Sequence, residues 1–350
     1  MSSATIRCYP YRLQFRRPFR IAAGSRTHTD SIYVSIEQYG KIGYGEAALP
    51  PYLQENTLSV MAAIARVKNS ISIQTSDEPP IKTIHAIKAL LGDQPAAIAA
   101  LELAMWDLHG QLVHQPLYQC LGIEQVIPVQ STYTIGIGDE SDIRQSVADA
   151  HHFALLKLKL GSSDDKKAVK TLKQFTDKPF CVDVNQGWND WRQASDMAFW
   201  LHEQGAFLLE QPLPKHRLDD IARIAENSPI PIILDESVRR FSDIRTVYGA
   251  CQGINIKLMK SGGVVEAKQM IALARELGMK VLVGCMSESS CAVSAAAHLS
   301  GLCDWADLDG PYLIVNDPFD GVKIDKGYIH LPNKNGIGIE LRGKLEATSQ

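Results

Sequence analysis

The sequence lacks the features that mark several classes of protein. Its seven cysteines include no Cys-x-x-Cys pair and no cysteine–histidine spacing typical of a zinc site. An odd number of cysteines without such a pattern indicates buried thiols in a reducing compartment, so we expect a cytoplasmic protein without a disulfide framework. The first residues, 1–11, contain no apolar segment of the kind found in secretory signals.

Long apolar runs and runs of one charge are also missing. No stretch reaches the roughly 18 apolar residues that a membrane span needs, because Glu102 and Asp107 interrupt the most apolar helical segment. The net charge is −3, and no basic run marks a surface for nucleic acid. We therefore expect neither a membrane nor a nucleic-acid partner.

The first part of the chain predicts a separate α+β unit. Residues 4–15 and 31–38 alternate between apolar and polar in the manner of strands, and the small and polar residues 21–29 between them predict a loop. Helical patterns follow at 55–69, 82–91 and 96–113. Strands followed by helices are typical of an α+β unit, which we assign to residues 1–125.

From about residue 126 onward, short apolar runs alternate with helical patterns. Eight strands are predicted at 129–135, 155–160, 180–184, 207–210, 231–235, 253–257, 280–284 and 304–309. Helices are predicted at 164–176, 191–204, 217–227, 241–250, 264–278 and 289–301. This α/β alternation predicts a parallel barrel over residues 126–319. Short strands expected at 322–342 place the tail, 320–350, back against the first unit.

An open, doubly wound sheet is the alternative architecture. Such sheets often carry a glycine-rich dinucleotide fingerprint after the first strand. Here Gly136-Ile137-Gly138 is followed by two acidic residues and no third glycine. The sequence therefore favours the closed barrel.

Charged residues end the apolar runs at regular intervals. They are Lys159, Asp183, Glu210, Asp235, Lys257 and Asp309. A charge beside a buried strand is costly unless it is paired or binds a metal. Since the carboxyl ends of parallel barrel strands surround the active sites of such barrels, we expect these side chains to share one site.

The alternation within the predicted strands decides which way the side chains point. In Leu156-Lys157-Leu158-Lys159-Leu160, helices must cover the leucines, so Lys157 and Lys159 face the barrel lumen. The same spacing turns Asp307 and Asp309 inward. The alternative is a half-exposed antiparallel strand with solvated lysines, which becomes improbable when several strands repeat the pattern.

Three of the charged residues form a candidate metal site. Asp183, Glu210 and Asp235 end successive strands, and neighbouring strands lie about 4.8 Å apart. Carboxylates without histidine or cysteine are hard oxygen ligands, which predicts Mg²⁺, with Mn²⁺ as an alternative. Helix caps or Asx turns are the other interpretation of such residues, but glutamate is a poor N-cap.

The lysines flank this candidate metal site. Lys157 and Lys159 belong to the second predicted strand and Lys257 to the sixth, across the barrel. Burial and neighbouring cations lower the pKa of a lysine, and we expect Lys157 to act in this way on Lys159. Two bases on opposite sides of a metal-bound carboxylate suit a 1,1-proton transfer, whose product is an epimer.

At this point the chain resembles a known family over nearly its whole length. It is similar to the dipeptide epimerases of the muconate-lactonising subgroup in the enolase superfamily. The resemblance rests on Lys157-Leu158-Lys159, Asp183-Val184-Asn185, Glu210-Gln211-Pro212, Asp235-Glu236-Ser237, the segment 255–263 and Asp307-Leu308-Asp309-Gly310-Pro311. It implies a modified TIM barrel, (β/α)₇β, with an α+β capping domain, and Mg²⁺-dependent epimerisation of a dipeptide at the α-carbon of its C-terminal residue.

The resemblance also implies roles for single residues. Lys159 and Lys257 are the acid/base catalysts, the three carboxylates bind the metal, and Lys157 contacts the substrate carboxylate. Asp307 and Asp309 hold the free ammonium of the dipeptide, which agrees with two carboxylates facing a cation. Cys285 and Met286 line the substrate pocket.

The same resemblance suggests a substrate. Gly24-Ser25-Arg26 is similar to a motif of L-Ala-D/L-Glu epimerases, whose arginine meets the glutamate side chain, and a solvated surface arginine is the alternative. Other dipeptides stay open as substrates. N-acylamino acid racemisation and o-succinylbenzoate synthesis are alternative activities, and a retired barrel that only binds ligands is the non-enzymatic one. The oligomeric state is also open, a homo-oligomer included.

Overall fold

The computed structural model describes residues 4–73 and 78–346. The outer ends of the predicted units, 1–3 and 347–350, and the internal segment 74–77 therefore lie outside the described residues. The N-terminal part is a three-stranded antiparallel sheet in the order β1-β2-β3, followed by helices. Its elements are β1 (Thr5–Ile21), β2 (Gly24–Gln38), β3 (Lys41–Leu49), α1 (Thr57–Ser70), α2 (Ile81–Leu91), α3 (Pro95–Leu112) and α4 (Leu117–Cys120).

The predicted loop at 21–29 is wrong. Strands β1 and β2 continue as a long hairpin in which Phe19 pairs with Arg26 and Ile21 with Gly24. Only two residues remain at the tip, and Gly24 has a φ of 140°, a conformation that glycine adopts readily. Backbone pairing between the strands therefore overrides the loop-like composition of this segment, and it fixes Arg26 within a strand.

The second part is the predicted parallel barrel. Eight strands lie in the order β11-β10-β9-β8-β7-β6-β5-β4, and a parallel bridge between Ser131 and Ala306 joins the two ends of the sheet. The strands are β4 (Thr132–Ile135), β5 (Leu155–Lys159), β6 (Phe180–Asp183), β7 (Ala206–Glu210), β8 (Ile232–Leu234), β9 (Gly253–Lys257), β10 (Lys280–Gly284) and β11 (Trp305–Asp307). The prediction of a closed barrel is confirmed, and the open sheet is wrong.

Helices cover the barrel between the strands. They are α5 (Glu140–Asp149), α6 (Asp165–Phe175), α7 (Trp191–Glu203), α8 (Leu218–Asn227), α9 (Asp243–Val247), α10 (Leu258–Ser261), α11 (Val264–Glu276), α12 (Ser290–Ala297) and α13 (Gly310–Leu313). Short 3₁₀ turns occur at Ala150–His152 and Ser300–Leu302. Because the predicted helix 289–301 ends in such a turn, its α-helical part is shorter than predicted.

Two barrel helices differ more strongly from the prediction. Helix α5 was not predicted, because it is polar and buries only Ile143. Helix α9 is shorter than the predicted 241–250, since the Asp243 carboxylate accepts hydrogen bonds from the backbone N–H groups of Arg239 and Arg240 and closes a turn before the helix. Gly249, with a φ of 87°, follows the end of this helix.

The tail follows the barrel and starts against the N-terminal sheet. It contains β12 (Phe319–Asp320), β13 (Lys323–Asp325), β14 (Tyr328–His330) and β15 (Glu340–Leu341), which pair as β12-β15 and β13-β14. The ring of Phe319 packs on Tyr33 and Tyr44 of the N-terminal sheet, with centroids 5.2 and 5.3 Å away. The architecture is therefore a (β/α)-barrel with an α+β cap.

Buried carboxylates of the cap bind the N-terminal ends of two barrel helices. Glu46 of β3 accepts hydrogen bonds from the backbone N–H groups of Ser289 and Ala292 at the start of α12. Glu102 of α3 accepts one from Val265 at the start of α11. Both acceptors lie where a helix leaves backbone donors unsatisfied and favours negative charge. Within the described part of the chain, no helix combines the length and apolarity that crossing a bilayer requires.

Candidate active site

The lumen-facing lysines lie at the carboxyl ends of the strands. Lys157 and Lys159 of β5 are 1% and 7% exposed, although each carries a charge. Lys157 Nζ lies 2.8 Å from Glu210 Oε2 and 2.7 Å from Asp307 Oδ2, so it reaches both sides of the lumen. Lys159 Nζ lies 2.6 Å from Asp183 Oδ2. The predicted inward orientation is therefore what the structure has.

Lys257 faces the same lumen from β9. Its Nζ lies 2.8 Å from Asp235 Oδ2, which mirrors the contact of Lys159 with Asp183. Asp235 has a second lysine partner, since Lys260 Nζ lies 2.5 Å from its other oxygen, Oδ1. The three carboxylates proposed as metal ligands thus meet four lysines in one buried cluster.

Neighbouring amides orient the carboxylates. Asn255 Nδ2 donates a hydrogen bond of 2.8 Å to Glu210 Oε1, and Gly284 leaves room for Asn255, because a Cβ at this glycine would lie 2.6 Å from Asn255 Oδ1. Gln211 Oε1 accepts hydrogen bonds from the backbone N–H groups of Asp235 and Ser237. An amide of β9 therefore holds the Glu210 carboxylate, and an amide that follows β7 holds the backbone at Asp235.

The charges shift the pKa values of the carboxylates in opposite directions. Burial acts to raise the pKa of Asp183, but Lys159 and Lys157 outweigh it and lower the pKa to about 2. Burial likewise opposes the effect of Lys257 and Lys260 on Asp235, whose pKa is lowered further. Burial and the charge of Asp183 raise the pKa of Glu210. Glu210 is therefore the least well neutralised of the three.

The lysines show the complementary effect. Burial acts to lower the pKa of Lys257, but Asp235 outweighs it and raises the pKa well above the usual value. Burial also opposes Asp307, Glu210 and Asp183 at Lys157, and the pKa of Lys157 is raised too. At both lysines, the effect of ion pairing on the pKa exceeds that of desolvation.

The arrangement of these oxygens bears on the predicted metal. Among residues 4–73 and 78–346, no three acidic, histidine or cysteine side chains form a group arranged to hold a metal ion as they stand. Lysine ammonium groups lie against the carboxylates instead. Four buried oxygens, however, make no hydrogen bond within the described residues: Glu210 Oε2, Asn185 Oδ1, Asn255 Oδ1 and Glu236 Oε2. Of these, Glu210 Oε2 has an ion-pair contact, with Lys157 Nζ. Buried oxygen acceptors without donors, beside three carboxylates, fit a hard cation such as Mg²⁺.

Two further carboxylates stand on the other side of the lumen, at β11. Asp307 Oδ1 accepts a hydrogen bond of 2.6 Å from Thr132 Oγ1, and its Oδ2 meets Lys157. Asp309 Oδ2 accepts a hydrogen bond of 2.6 Å from the backbone N–H of Thr134. Burial, together with the charge of Asp307, raises the pKa of Asp309 to about 7. Among the residues that the structure describes, no lysine, arginine or histidine forms an ion pair with Asp309.

Two adjoining cavities open above these groups. A small one, of about 40 Å³, is lined by the lysines and by the β11 carboxylates, with Cys285 and Met286 in its wall; its lining includes Lys159, Lys257, Asp307 and Asp309. A larger one, of about 160 Å³, extends toward the ends of β6–β8 and includes Lys215, Glu236 and Arg239. Tyr52, Asn185 and Met286 line both cavities. Cys285 and Met286 thus lie in the wall of the small cavity, beside the lysines and the two aspartates.

Arg26 approaches the cavities from the hairpin. Its guanidinium lies 5.5 Å from the ring centroid of Phe15, 6.0 Å from that of Phe19 and 5.7 Å from that of Tyr52. Its Nη1 is buried and has no hydrogen-bond partner among the described residues. Desolvation lowers the pKa of Arg26. A buried guanidinium nitrogen without an acceptor marks a place for an anion.

Sequence reasoning did not assign several residues that the structure brings into the site. Thr132 and Thr134 occupy alternate positions of β4, and the spacing rule applied to the β5 lysines would have turned them inward as well. Lys260 lies in a motif that was recognised, but in a short helix beyond the strand, where that rule does not apply. Tyr52 lies in the connection after β3, whose path to the barrel mouth follows no local pattern.

Comparisons with known proteins identify the family of the chain. Residues 141–345 match the family profile described as "Enolase C-terminal domain-like", and residues 3–122 match "Mandelate racemase / muconate lactonizing enzyme, N-terminal domain". A curated L-Ala-D/L-Glu epimerase of Bacteroides thetaiotaomicron is 44% identical over 333 residues, covering 95% of this chain and 86% of the relative.

Two solved structures are similar over the whole fold. The substrate-liganded L-Ala-D/L-Glu epimerase from Bacillus subtilis has a TM-score of 0.91 at 27% identity, and the match covers 98% of this chain and 100% of that one. The dipeptide epimerase from Cytophaga hutchinsonii, complexed with Mg and the dipeptide D-Ala-L-Val, has a TM-score of 0.87 at 26% identity and covers 97% and 96%. These relatives share the reaction type but differ in the side chain of the dipeptide.

Proposed function

We infer the reaction from the family: the chain belongs to the enolase superfamily, in the mandelate racemase and muconate lactonizing enzyme group, and it is a Mg²⁺-dependent dipeptide epimerase, an isomerase. We propose L-Ala-D/L-Glu, a constituent of cell-wall peptides, as its substrate and the cytoplasm as its location. The observation that carries the choice of substrate is the buried Nη1 of Arg26, close to Tyr52 of the cavity wall, which has no hydrogen-bond partner among the described residues.

The residues at the strand ends divide the work of the reaction. Asp183, Glu210 and Asp235 would hold Mg²⁺. Bound there, Mg²⁺ supplies positive charge that stabilises the substrate carboxylate as negative charge accumulates on it. Mn²⁺ has similar ligand preferences and is an alternative. The unsatisfied acceptors around Glu210 support this assignment.

Lys159 and Lys257 exchange the α-proton. One amine accepts the proton from the α-carbon, and the electron pair of the broken C–H bond moves into the carboxylate group. The ammonium on the opposite face then donates a proton, the electron pair returns to form the new C–H bond, and the configuration is inverted. The position of the two lysines on β5 and β9, across the lumen, supports this division. Lys157 neutralises the substrate carboxylate.

The two ends of the dipeptide meet opposite charges. Asp307 and Asp309 bind the free ammonium, and Asp309, which forms no ion pair within the described part of the chain, is the stronger candidate. Arg26 meets the side-chain carboxylate of glutamate from the hairpin. Cys285 and Met286 form the apolar wall between them. A substrate with an acylated nitrogen would leave Asp309 facing an amide, which argues against N-acylamino acid racemisation.

The test is incubation of L-Ala-D-Glu with the protein and Mg²⁺ in D₂O. We expect formation of L-Ala-L-Glu with one deuterium at the α-carbon of glutamate, visible by NMR. N-acetyl- and N-succinyl-amino acids serve as parallel substrates, and their exchange in place of the dipeptide would favour the alternative activities. Absence of exchange with every dipeptide and every acylated substrate would leave only a binding role.

A further inference from the structure

Lys260 is a buried cation to which the proposed reaction assigns no role. It lies in the short helix α10, directly after β9, and is 4% exposed. Its Nζ lies 2.5 Å from Asp235 Oδ1, 2.7 Å from the backbone oxygen of Asp235 and 2.9 Å from the backbone oxygen of Asn255. An ammonium has three N–H donors, so these three acceptors use all of them.

Lys260 differs from Lys257 in that all three of its N–H donors are used by the protein. Lys257 meets the opposite oxygen of Asp235, Oδ2, and lines the small cavity with Lys159. Lys260 instead lines the larger cavity, on the far side of Asp235. With no donor left for a substrate, Lys260 is unsuited to proton transfer, and its contacts join Asp235, directly after β8, to Asn255 of β9.

We propose that Lys260 is a positioning residue that sets the orientation of Asp235 for metal binding. By holding Oδ1 and the backbone oxygen of the same residue, it fixes both the rotamer and the backbone of Asp235. Oδ2, the oxygen that Lys257 contacts, is thereby kept facing the lumen. The bond to Asn255 also ties this carboxylate to β9, whose Asn255 side chain orients Glu210.

This inference rests on the proposed function, because it takes Asp235 as a metal ligand. A purely structural role for Lys260 would affect stability without affecting the affinity for Mg²⁺. A purely electrostatic role predicts tighter Mg²⁺ binding in a variant without Lys260, since a positive charge beside the site repels the cation. Positioning alone predicts weaker binding when the charge is removed.

The experiment measures the dissociation constant of Mg²⁺ by isothermal titration calorimetry in the absence of substrate. We expect K260M to weaken Mg²⁺ binding at least about tenfold, the effect typical of groups that orient metal ligands. K260Q keeps donors for the backbone oxygens and serves as the second variant if K260M does not fold. It is expected to weaken Mg²⁺ binding as well, because its amide offers the Asp235 carboxylate no charge. K215M, at an exposed lysine of the same cavity, is the control and should bind as the wild type does.

D235N distinguishes the two levels of the proposal. If D235N binds Mg²⁺ as tightly as the wild type, the proposed metal site is wrong. If D235N loses binding while folded K260M or K260Q binds as tightly as the wild type or more tightly, the metal site stands and the positioning role of Lys260 is overturned. Thermal melting of each variant without Mg²⁺ shows that the comparison is between folded proteins.

Discussion

Lys257 Nζ lies 2.8 Å from Asp235 Oδ2, so a proposed base and a proposed metal ligand form a buried ion pair. Lys159 and Asp183 form the corresponding pair at 2.6 Å on the other side of the lumen. Asp235 and Asp183 each contact a second lysine as well, and breaking a buried ion pair by removing one member is costly. A cation that takes over the carboxylates would release both amines at once, which couples metal binding to the availability of the bases.

The two lysines should have separable effects on proton exchange. In K257A, one face of the α-carbon loses its base, so epimerisation should fall by about 10²–10⁴-fold. Lys159 remains and should still exchange the α-proton of one epimer with solvent. The measurement is the rate of α-deuterium incorporation by NMR, with L-Ala-D-Glu and L-Ala-L-Glu as separate substrates.

The matching variant K159A should show the opposite preference. The epimer that exchanges in K257A should be inert in K159A, and the other epimer should exchange. K173A, at a lysine of α6 that bonds a backbone oxygen on the barrel surface, is the control with normal turnover. Full epimerisation by either lumen variant would contradict a mechanism with two bases.

Mg²⁺ should stabilise the protein through Glu210. A ligand that binds only the folded state raises the free energy of unfolding by about 2.7 kcal/mol at a concentration of 100 times Kd. We expect the thermal midpoint of the wild type to rise with Mg²⁺ concentration. In E210Q, the carboxylate with the least compensated charge is lost, and the rise should largely disappear.

E55Q provides the comparison for that measurement. Glu55 is a buried carboxylate of the cap that accepts hydrogen bonds from the backbone N–H groups of Ala96 and Ala97, away from the lumen. E55Q should have a lower midpoint than the wild type but the same increase with Mg²⁺. An equal increase in E210Q would rule out Glu210 as a ligand.

The parts that could be predicted from the sequence follow from one rule of strand geometry. The alternation in β5 placed Lys157 and Lys159 in the lumen because a parallel barrel has an apolar exterior. The rule failed where the chain is not a covered strand. Helix α5 is too polar to show a buried face, and the hairpin carrying Arg26 owes its structure to pairing between strands, which a single segment of sequence does not reveal.

Arg26 should select for an acidic side chain. Loss of a hydrogen bond to a charged group costs about 1.5–3 kcal/mol, so R26A should lower kcat/KM for L-Ala-L-Glu by roughly 10–150-fold. L-Ala-L-Gln, which has the same shape without the charge, should lose much less. The measurement is the ratio of the two kcat/KM values in the wild type and in the variant.

R20A is the control for this ratio. Arg20 lies on the same hairpin but pairs with Asp142 at the surface, 2.8 Å away. Its removal should leave the preference for glutamate unchanged. A wild-type ratio in R26A would mean that the rings of Phe15, Phe19 and Tyr52 hold Arg26 for structural reasons only.

Gly284 should matter because of its distance from Asn255. A methyl group at this position would lie 2.6 Å from Asn255 Oδ1 and displace the amide from Glu210. We expect G284A to lower the free energy of unfolding by about 1–3 kcal/mol, measured by urea denaturation, and to weaken Mg²⁺ binding. In an N255A background the clash is absent, so adding G284A should then change little; equal effects in both backgrounds would contradict the steric explanation.

His298 should make the stability of the protein depend on pH. It is fully buried after α12, where its Nδ1 accepts a hydrogen bond from the backbone N–H of Tyr118 and its Nε2 lies 3.3 Å from the backbone oxygen of Ile337. The ring thus joins the barrel, the cap and the tail as a neutral tautomer. Burial lowers the pKa of His298 to about 4, against about 6.5 in an unfolded chain.

The difference between the two pKa values determines how the stability changes with pH. Because the unfolded chain binds the proton more readily, the contribution of His298 is complete above pH 6.5 and is lost progressively as the pH falls toward 4, by about 3 kcal/mol in total. Buried carboxylates titrate in the same range, so the measurement compares urea denaturation of the wild type and H298Q at pH 7.5 and 4.5. H298Q should be less stable than the wild type at pH 7.5, since its amide fits the two backbone partners less well. The difference between the two free energies of unfolding should narrow by about 2–3 kcal/mol at pH 4.5. A gap that stays constant would mean that His298 takes up its proton equally well in the folded and unfolded states, and that burial at this junction imposes no penalty on the charge.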